Sequence, residues 1–329
     1  MGAPIATAPR RLSLVDRIRA GDTAALARAI SLVDAGGAKA AQIHRRIHPL
    51  AGRALVVGFT GPPGVGKSTL IDAYIAELRK SGRTVAVAAV DPSSPMSGGA
   101  VLGDRVRMGR HSTDTGVFIR SLAARGHLGG LSPDIHRIID LMDAAGYEQI
   151  IVETVGTGQS EIEVVEIADV RVVVNAPGLG DDVQALKAGI LEIADILVVN
   201  KADLPLADRA VRQLENMIRL RKDGGRTVSI VATIATTGEG IERLAAHIDE
   251  LGRTGRRHAG RGRSRMIRLI AQAAAKRVRD RLVAAGAPIE ALASDALSGR
   301  IDIEAAAAMA LAWLEEKPQG DRLKGPAGA

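Results

Sequence analysis

Cysteine is absent from the 329 residues, which excludes disulfides, thiolate nucleophiles and cysteine-based metal sites and agrees with a reducing compartment. Aromatic side chains make up only 2% of the chain. The core must therefore be built from Val, Ile, Leu and Ala, a composition that favours parallel sheets and close-packed helices. No apolar run approaches the roughly 18 residues of a membrane span, and the opening "MGAPIATAPRR" lacks the apolar stretch of a signal peptide. It begins Met-Gly, but Ala6 occupies the position that a myristoylation signal reserves for Ser or Thr. These absences lead to the expectation of a soluble, cytoplasmic protein. The seven His residues show no ligand-type spacing on this reading.

What is present is enough apolar sequence, 46%, for a large core, and a net charge of +7. Six Arg residues (253, 256, 257, 261, 263 and 265) crowd into "GRTGRRHAGRGRSR". No aromatics are interleaved to stack on bases, so a solvated linker and helix start is expected there, with no nucleic-acid partner.

Three regions follow from the pattern. Residues 1–50 carry Leu14, Ile18, Leu26 and Ile30 near helical spacing, which predicts one or two amphipathic helices. Residues 51–251 alternate short β-branched runs (54–59, 84–90, 117–120, 149–153, 170–175, 196–200 and 228–232) with stretches of helical length. That is the βαβ pattern of an α/β fold with a doubly wound, mainly parallel sheet, ligands lying at the carboxyl ends of the strands. Residues 252–329 hold the basic linker, then a stripe of Met266, Ile270, Ala274, Val278 and Leu282, then "IDIEAAAAMALAWLEE". This predicts two Ala-rich helices too small to fold alone, packing either on the main domain or on a second copy of the chain.

"GPPGVGKST" (61–69) follows the first strand and opens a helix, the required setting for the GxxxxGK(S/T) phosphate loop. Gly61, Gly64 and Gly66 let the backbone, with Pro62, Pro63 and Val65, curl its N–H groups inward. Lys67 reaches the β and γ phosphates, Ser68 is a Mg2+ ligand, and Thr69 completes the motif. A lysine of this kind is expected to face solvent while no nucleotide is bound. "NKAD" (200–203) closes the sixth strand. Asp203 can accept both donors on the guanine edge, whereas adenine would leave its charge unpaired, so GTP is the expected nucleotide. Lys201 can lie along the base and Asn200 can tie the loop down. In the next strand-end segment Ile234 stands where GTPases usually have Ser, and the backbone N–H of Ala235 remains a candidate contact to the base.

"VETVGTGQSE" (152–161) ends an apolar strand in Glu153, a carboxylate aimed at metal and γ-phosphate, with Gly156 free to offer its N–H to that phosphate. Ras-like enzymes place a water-orienting Gln directly after the Gly. Here Thr157 holds that place and Gln159 follows two residues later, so slow intrinsic hydrolysis is expected.

Four segments together, "GPPGVGKSTL", "VDPSSPMSGGAVLGDRVRM", "VETVGTGQSE" and "PGLGDDVQALKAGILEIADILVVNKAD", resemble the MeaB, MMAA and ArgK family of G-protein chaperones for adenosylcobalamin-dependent acyl-CoA mutases. The resemblance spans roughly residues 10 to 251. It implies a GTPase that gates cofactor transfer into a mutase and protects the loaded enzyme, with GTP or GDP and Mg2+ as ligands. Separately, the Ala-rich helices from about residue 260, with their Met, Ile, Val, Leu stripe, are expected to mediate homodimerisation. Asp91 and Asp104 become candidate Mg2+ ligands, directly or through water, beside Ser68 and Glu153. Arg107 becomes a candidate charge stabiliser, the alternative being a surface helix Arg. The segment around Lys187 resembles the family's third switch, from which the lysine could supply transition-state charge. Val183 and Ala185 depart from the Leu and Gly of many relatives, so the client mutase is left open.

Other readings stay open. A nickel-enzyme maturation GTPase shares the Glu switch but calls for a metal-handling cluster. A signal-recognition type GTPase calls for a Met-rich domain, while the seven Met here are spread along the chain. A small-molecule kinase corresponds to the name ArgK.

Overall fold

The computed structural model describes residues 12–91, 109–123, 135–154, 167–178, 194–219, 228–255 and 260–316. Contacts divide the chain into two compact units, Met1–His258 and Ala259–Ala329.

The first unit is organised by seven strands: β1 (Leu55–Thr60), β2 (Val85–Asp91), β3 (Val117–Ala123), β4 (Gln149–Thr154), β5 (Val170–Asn175), β6 (Ile196–Val199) and β7 (Ser229–Ala232). They lie in the order β3-β2-β4-β1-β5-β6-β7, and every pairing among these strands is parallel. Strands buried on both faces lose the polar alternation of a half-exposed sheet. All six residues of β1 and of β4 are buried accordingly.

Alternate side chains of each strand serve different faces. Leu55, Val57 and Phe59 of β1 pack with Leu70, Ile71, Tyr74 and Ile75 of α4 (Lys67–Lys80) and with Leu244 and Ile248 of α7 (Ile241–Gly255). Val56 joins Ala86, Ala88, Ile150 and Val152 on the opposite face, under α5 (Ile135–Ala144) and the N-terminal helices. A third cluster sets Val173, Leu197 and Val199 against Ala210 and Leu214 of α6 (Ala207–Arg219).

The N-terminal region forms three helices, where its periodicity predicts one or two. These are α1 (Leu14–Arg19), α2 (Thr23–Asp34) and α3 (Gly37–Ile47). Gly21, Gly36 and Gly37 all adopt positive φ and break the run. Ser13 and Asp16 form a capping box at α1, and Asp22 caps α2 by accepting from the Ala25 N–H at 2.9 Å. Ile18, Leu26, Ile30 and Val33 are fully buried in the same cluster as Val56 and Ile150, so these helices close one face of the sheet.

The second unit contains α8 (Gly260–Val283), α9 (Ala287–Leu297) and α10 (Ile303–Glu316). The sequence pattern predicts two helices here. The third, α9, starts after Gly286 at φ 61 with Pro288 in its first turn, a break and restart that composition alone does not mark. Arg281 donates to the Leu314 carbonyl at 3.1 Å, linking α8 to α10. Among the described residues, no helix is long and apolar enough to cross a membrane.

Candidate functional site

The site lies at the carboxyl ends of the parallel strands. β1 and β4 are neighbours with Phe59 paired to Glu153, so their ends are level and the carboxylate stands beside the loop that leaves β1. Two glycines of that loop are required by space as well as by conformation. Gly61 has φ 142, and a Cβ there would lie 2.1 Å from the Val174 carbonyl oxygen of β5. Gly66 has φ 89, and a Cβ would lie 2.6 Å from Nδ2 of Asn200. Gly64, at φ 80, has open space around it and serves the curl of the backbone alone. Pro62, Pro63 and Val65 fill the intervening positions, with Val65 fully buried.

Lys67 and Ser68 open α4, and both are buried. Lys67 does not face solvent, contrary to expectation: its ammonium donates to the carbonyls of Gly61 at 2.8 Å and Pro62 at 2.9 Å. The physical reason is local. The loop curls its N-terminal carbonyls over the helix start, and a buried ammonium takes such acceptors when it has them. Ser68 Oγ donates to Glu153 Oε1 at 2.7 Å, with both side chains buried. A hydroxyl and a carboxylate held together at a helix N-terminus are hard oxygen donors, the set that Mg2+ takes. Thr69, next on α4, is exposed.

The "NKAD" segment is physically tied to this loop. Asn200, almost fully buried after β6, donates through Nδ2 to the Val65 carbonyl at 2.9 Å. Its Oδ1 accepts from Thr233 Oγ1 and from the Ala235 N–H, each at 3.2 Å. Lys201 has φ 58 and its ammonium donates to the Gly64 carbonyl at 2.8 Å. Asn200 and Lys201 therefore bridge two loops across 135 and 137 residues of sequence, while Asp203 stands exposed at the rim. Ala235 is partly buried and its N–H is engaged by Asn200, so a contact from it to a base oxygen requires sharing or exchanging that bond. Ile234 bridges Glu239, closing the turn after β7.

Thr233 is a residue that motif reading missed. It is buried at the end of β7 and holds the Asn200 amide from behind; its place directly before Ile234 was the available signal. Gly156, Thr157, Gln159, Lys187, Arg107 and Asp104 lie outside the described residues. Asp91 ends β2, two strands from β1 across β4, and its side chain also lies outside them.

Comparison with known proteins bears on this arrangement. A GTPase of Pyrococcus abyssi is 51% identical over 251 residues, covering 74% of this chain and 78% of that one. The methylmalonic aciduria type A homolog of Mus musculus, a mitochondrial protein, is 40% identical over 194 residues, covering 57% and 46%. The crystal structure of a LAO/AO transport system kinase superposes with a TM-score of 0.69 at 25% identity, over 92% of this chain and 96% of that one. The family model of the methylmalonyl Co-A mutase-associated GTPase MeaB matches residues 26–287, well over half of the sequence, and the chain belongs to that family.

Proposed function

We propose that this protein is a GTP-hydrolysing chaperone that gates adenosylcobalamin transfer to an acyl-CoA mutase and protects the loaded enzyme. The observation that carries the guanine-nucleotide part is the bridge from Asn200 and Lys201 to the Val65 and Gly64 carbonyls, which joins a base-reading segment to a phosphate loop. The mutase part rests on the family's description and on the mouse relative's name.

In this reading Gly61, Gly64 and Gly66 present backbone N–H groups to the phosphates. Lys67 exchanges the Gly61 and Pro62 carbonyls for phosphate oxygens, a move from two neutral acceptors to charged ones that favours the nucleotide-bound form. Ser68 and Glu153 are the pair that would hold Mg2+, with Asp91 and Asp104 as further candidates; the ion supplies charge neutralisation of the phosphates. Asp203 accepts from the guanine edge while Asn200, backed by Thr233, fixes the loop. Gly156 offers its N–H to the γ-phosphate. The protein acts in a cytoplasmic setting as a homodimer joined through the helices after residue 258.

Hydrolysis is slow in the free protein because Thr157 stands where a water-orienting Gln is usual. Lys187, with Arg107 as a second source of charge, completes the site when the mutase is bound. Nucleotide state controls the client only if GTP and GDP forms bind it differently. The test is phosphate release with and without an adenosylcobalamin-dependent acyl-CoA mutase, for the wild type and Lys187→Ala. One preorganised charge worth ~3 kcal/mol at the transition state gives acceleration on the order of 10². Most of it is lost in Lys187→Ala, with GTP affinity retained. Equal acceleration of both proteins removes Lys187 from the reading, and absence of any effect of a mutase on either removes the chaperone assignment. Transfer of labelled phosphate from GTP to a small amino acid, rather than to water, would instead support the kinase activity named for the structural neighbour.

A further inference from the structure

Away from the strand ends, helix α3 and the turn after it bring two imidazoles onto one carboxylate of α5. His44 Nε2 lies 2.9 Å from Asp140 Oδ2, and His48 Nδ1 lies 2.9 Å from the same oxygen. The donor atoms of the three residues all fall within 4.8 Å of one another. The histidines, whose spacing along the whole chain suggests no ligand set, meet a carboxylate here. His44 and His48 are four residues apart, and His48 keeps helical geometry at φ −50 and ψ −41, so both rings project from one face. His136 and Asp140 have the same four-residue spacing on α5, and the His136 ring meets that of His44 edge-on at 5.9 Å. α3 with the turn after it, and α5, thus each carry an i, i+4 pair at this contact, a match that pattern reading within either segment does not reveal.

We propose that His44, His48 and Asp140 form a binding site for a transition-metal dication of the zinc class, unrelated to the nucleotide site. Two imidazole nitrogens and one carboxylate oxygen are the donor set of three-ligand zinc sites, in which water takes the remaining position. An all-oxygen cage would have favoured Mg2+ or Ca2+ instead. The spacing is close to what an ion needs. Ligand atoms around a tetrahedral Zn2+ stand roughly 3.4 Å apart at bond lengths of about 2.0–2.1 Å, so the two 2.9 Å contacts open by about half an ångström, and the two imidazole nitrogens, within 4.8 Å of each other, adjust around the ion. The carboxylate is held ready: Asp140 is 18% exposed and packed between the two helices.

Such an ion would fasten the segment leading into β1 to α5. One turn beyond Asp140, the Asp143 carboxylate already accepts from the Gly52 N–H at 2.5 Å and the Arg53 N–H at 3.0 Å. The metal therefore adds a second tie between α5 and the approach to β1, and its expected consequence is stability of the N-terminal face.

The experiment uses full-length, metal-stripped, nucleotide-free protein titrated with Co2+, read by its visible absorption, and with Zn2+ by calorimetry. One ion per chain is expected, with Co2+ absorption intensity of a four-coordinate site and a rise in Tm on adding Zn2+. His48→Ala, whose side chain is half-exposed and tolerates truncation, and Asp140→Asn weaken binding by a factor on the order of 10² or more and abolish the Tm rise. Circular dichroism and labelled-GDP binding confirm that both variants are folded. Glu153→Gln, altered at the strand ends, keeps the Co2+ site. A wild type that binds no Co2+, or one whose binding persists undiminished in a His44→Ala/His48→Ala protein, overturns the proposal.

Discussion

A methyl group at Gly66 would sit 2.6 Å from Nδ2 of Asn200, at a φ of 89 that L side chains rarely adopt. Relief requires either the loop or the Asn200 amide to move, and Asn200 is held on its other side by Thr233 and Ala235. Gly66→Ala is therefore expected to separate the phosphate loop from the "NKAD" segment. The αL penalty alone is roughly 1–2 kcal/mol, so labelled-GDP affinity should fall on the order of tenfold or more while circular dichroism stays native. An unchanged affinity would mean that the bridge from Asn200 to Val65 does not organise the site. Motifs with fixed local spacing mark Lys67, Ser68, Glu153, Asn200 and Asp203 as candidates. They do not give the contacts. The Ser68 to Glu153 bond spans 85 residues, and the turning of Lys67 onto its own loop's carbonyls depends on backbone curvature that the letters GPPGVGK leave open. The His44, His48 and Asp140 group was missed for the same reason: its carboxylate comes from a helix more than ninety residues away.

Between elements, α5 shows how such distant contacts hold the fold. Its Asp143 is buried and accepts two N–H groups from the turn that precedes β1. Hydrogen bonds to a charged acceptor contribute about 1.5–3 kcal/mol each in favourable cases, but Gly52 and Arg53 are exposed residues whose N–H groups water can partly satisfy. Asp143→Ala should therefore lower unfolding stability by about 2 kcal/mol, seen as a lower denaturant midpoint with an unchanged slope. No change in midpoint would show that hydration replaces the carboxylate without loss. Strands were the legible elements, since a buried parallel strand is a contiguous β-branched run and all seven such runs became β1 to β7. The order β3-β2-β4-β1-β5-β6-β7 was not legible, because burial on both faces leaves no alternation to say which neighbours pair. The count of N-terminal and C-terminal helices also escaped the periodicity. A break at Gly21, Gly36 or Gly286 changes the chain direction without interrupting the apolar spacing around it.

At the scale of the whole molecule, the helices after residue 258 pose a burial problem. Among the described residues of that unit only Ala310 and Leu314 are buried, while Val283, Leu297 and Ile303 are 79%, 90% and 76% exposed. Ile267, Ile270, Met309 and Leu311 add to the apolar surface. In the proposed homodimer these apolar side chains of α8 to α10 would be covered by a second copy of the chain. The Ala-rich face of α10 permits close approach of a second helix, and a two-fold pairing would let the same patch cover itself. The first unit carries its own hydrophobic clusters around the sheet, and every described residue of the nucleotide site lies within that unit. A chain ending at residue 258 is therefore expected to fold, bind labelled GDP with the affinity of the intact protein and run as a monomer in light scattering, while the full-length chain runs as a dimer. A truncated protein that remains dimeric would place the interface on the first unit, and a monomeric full-length chain would show that the exposed side chains of α8 to α10 are not covered by a second copy.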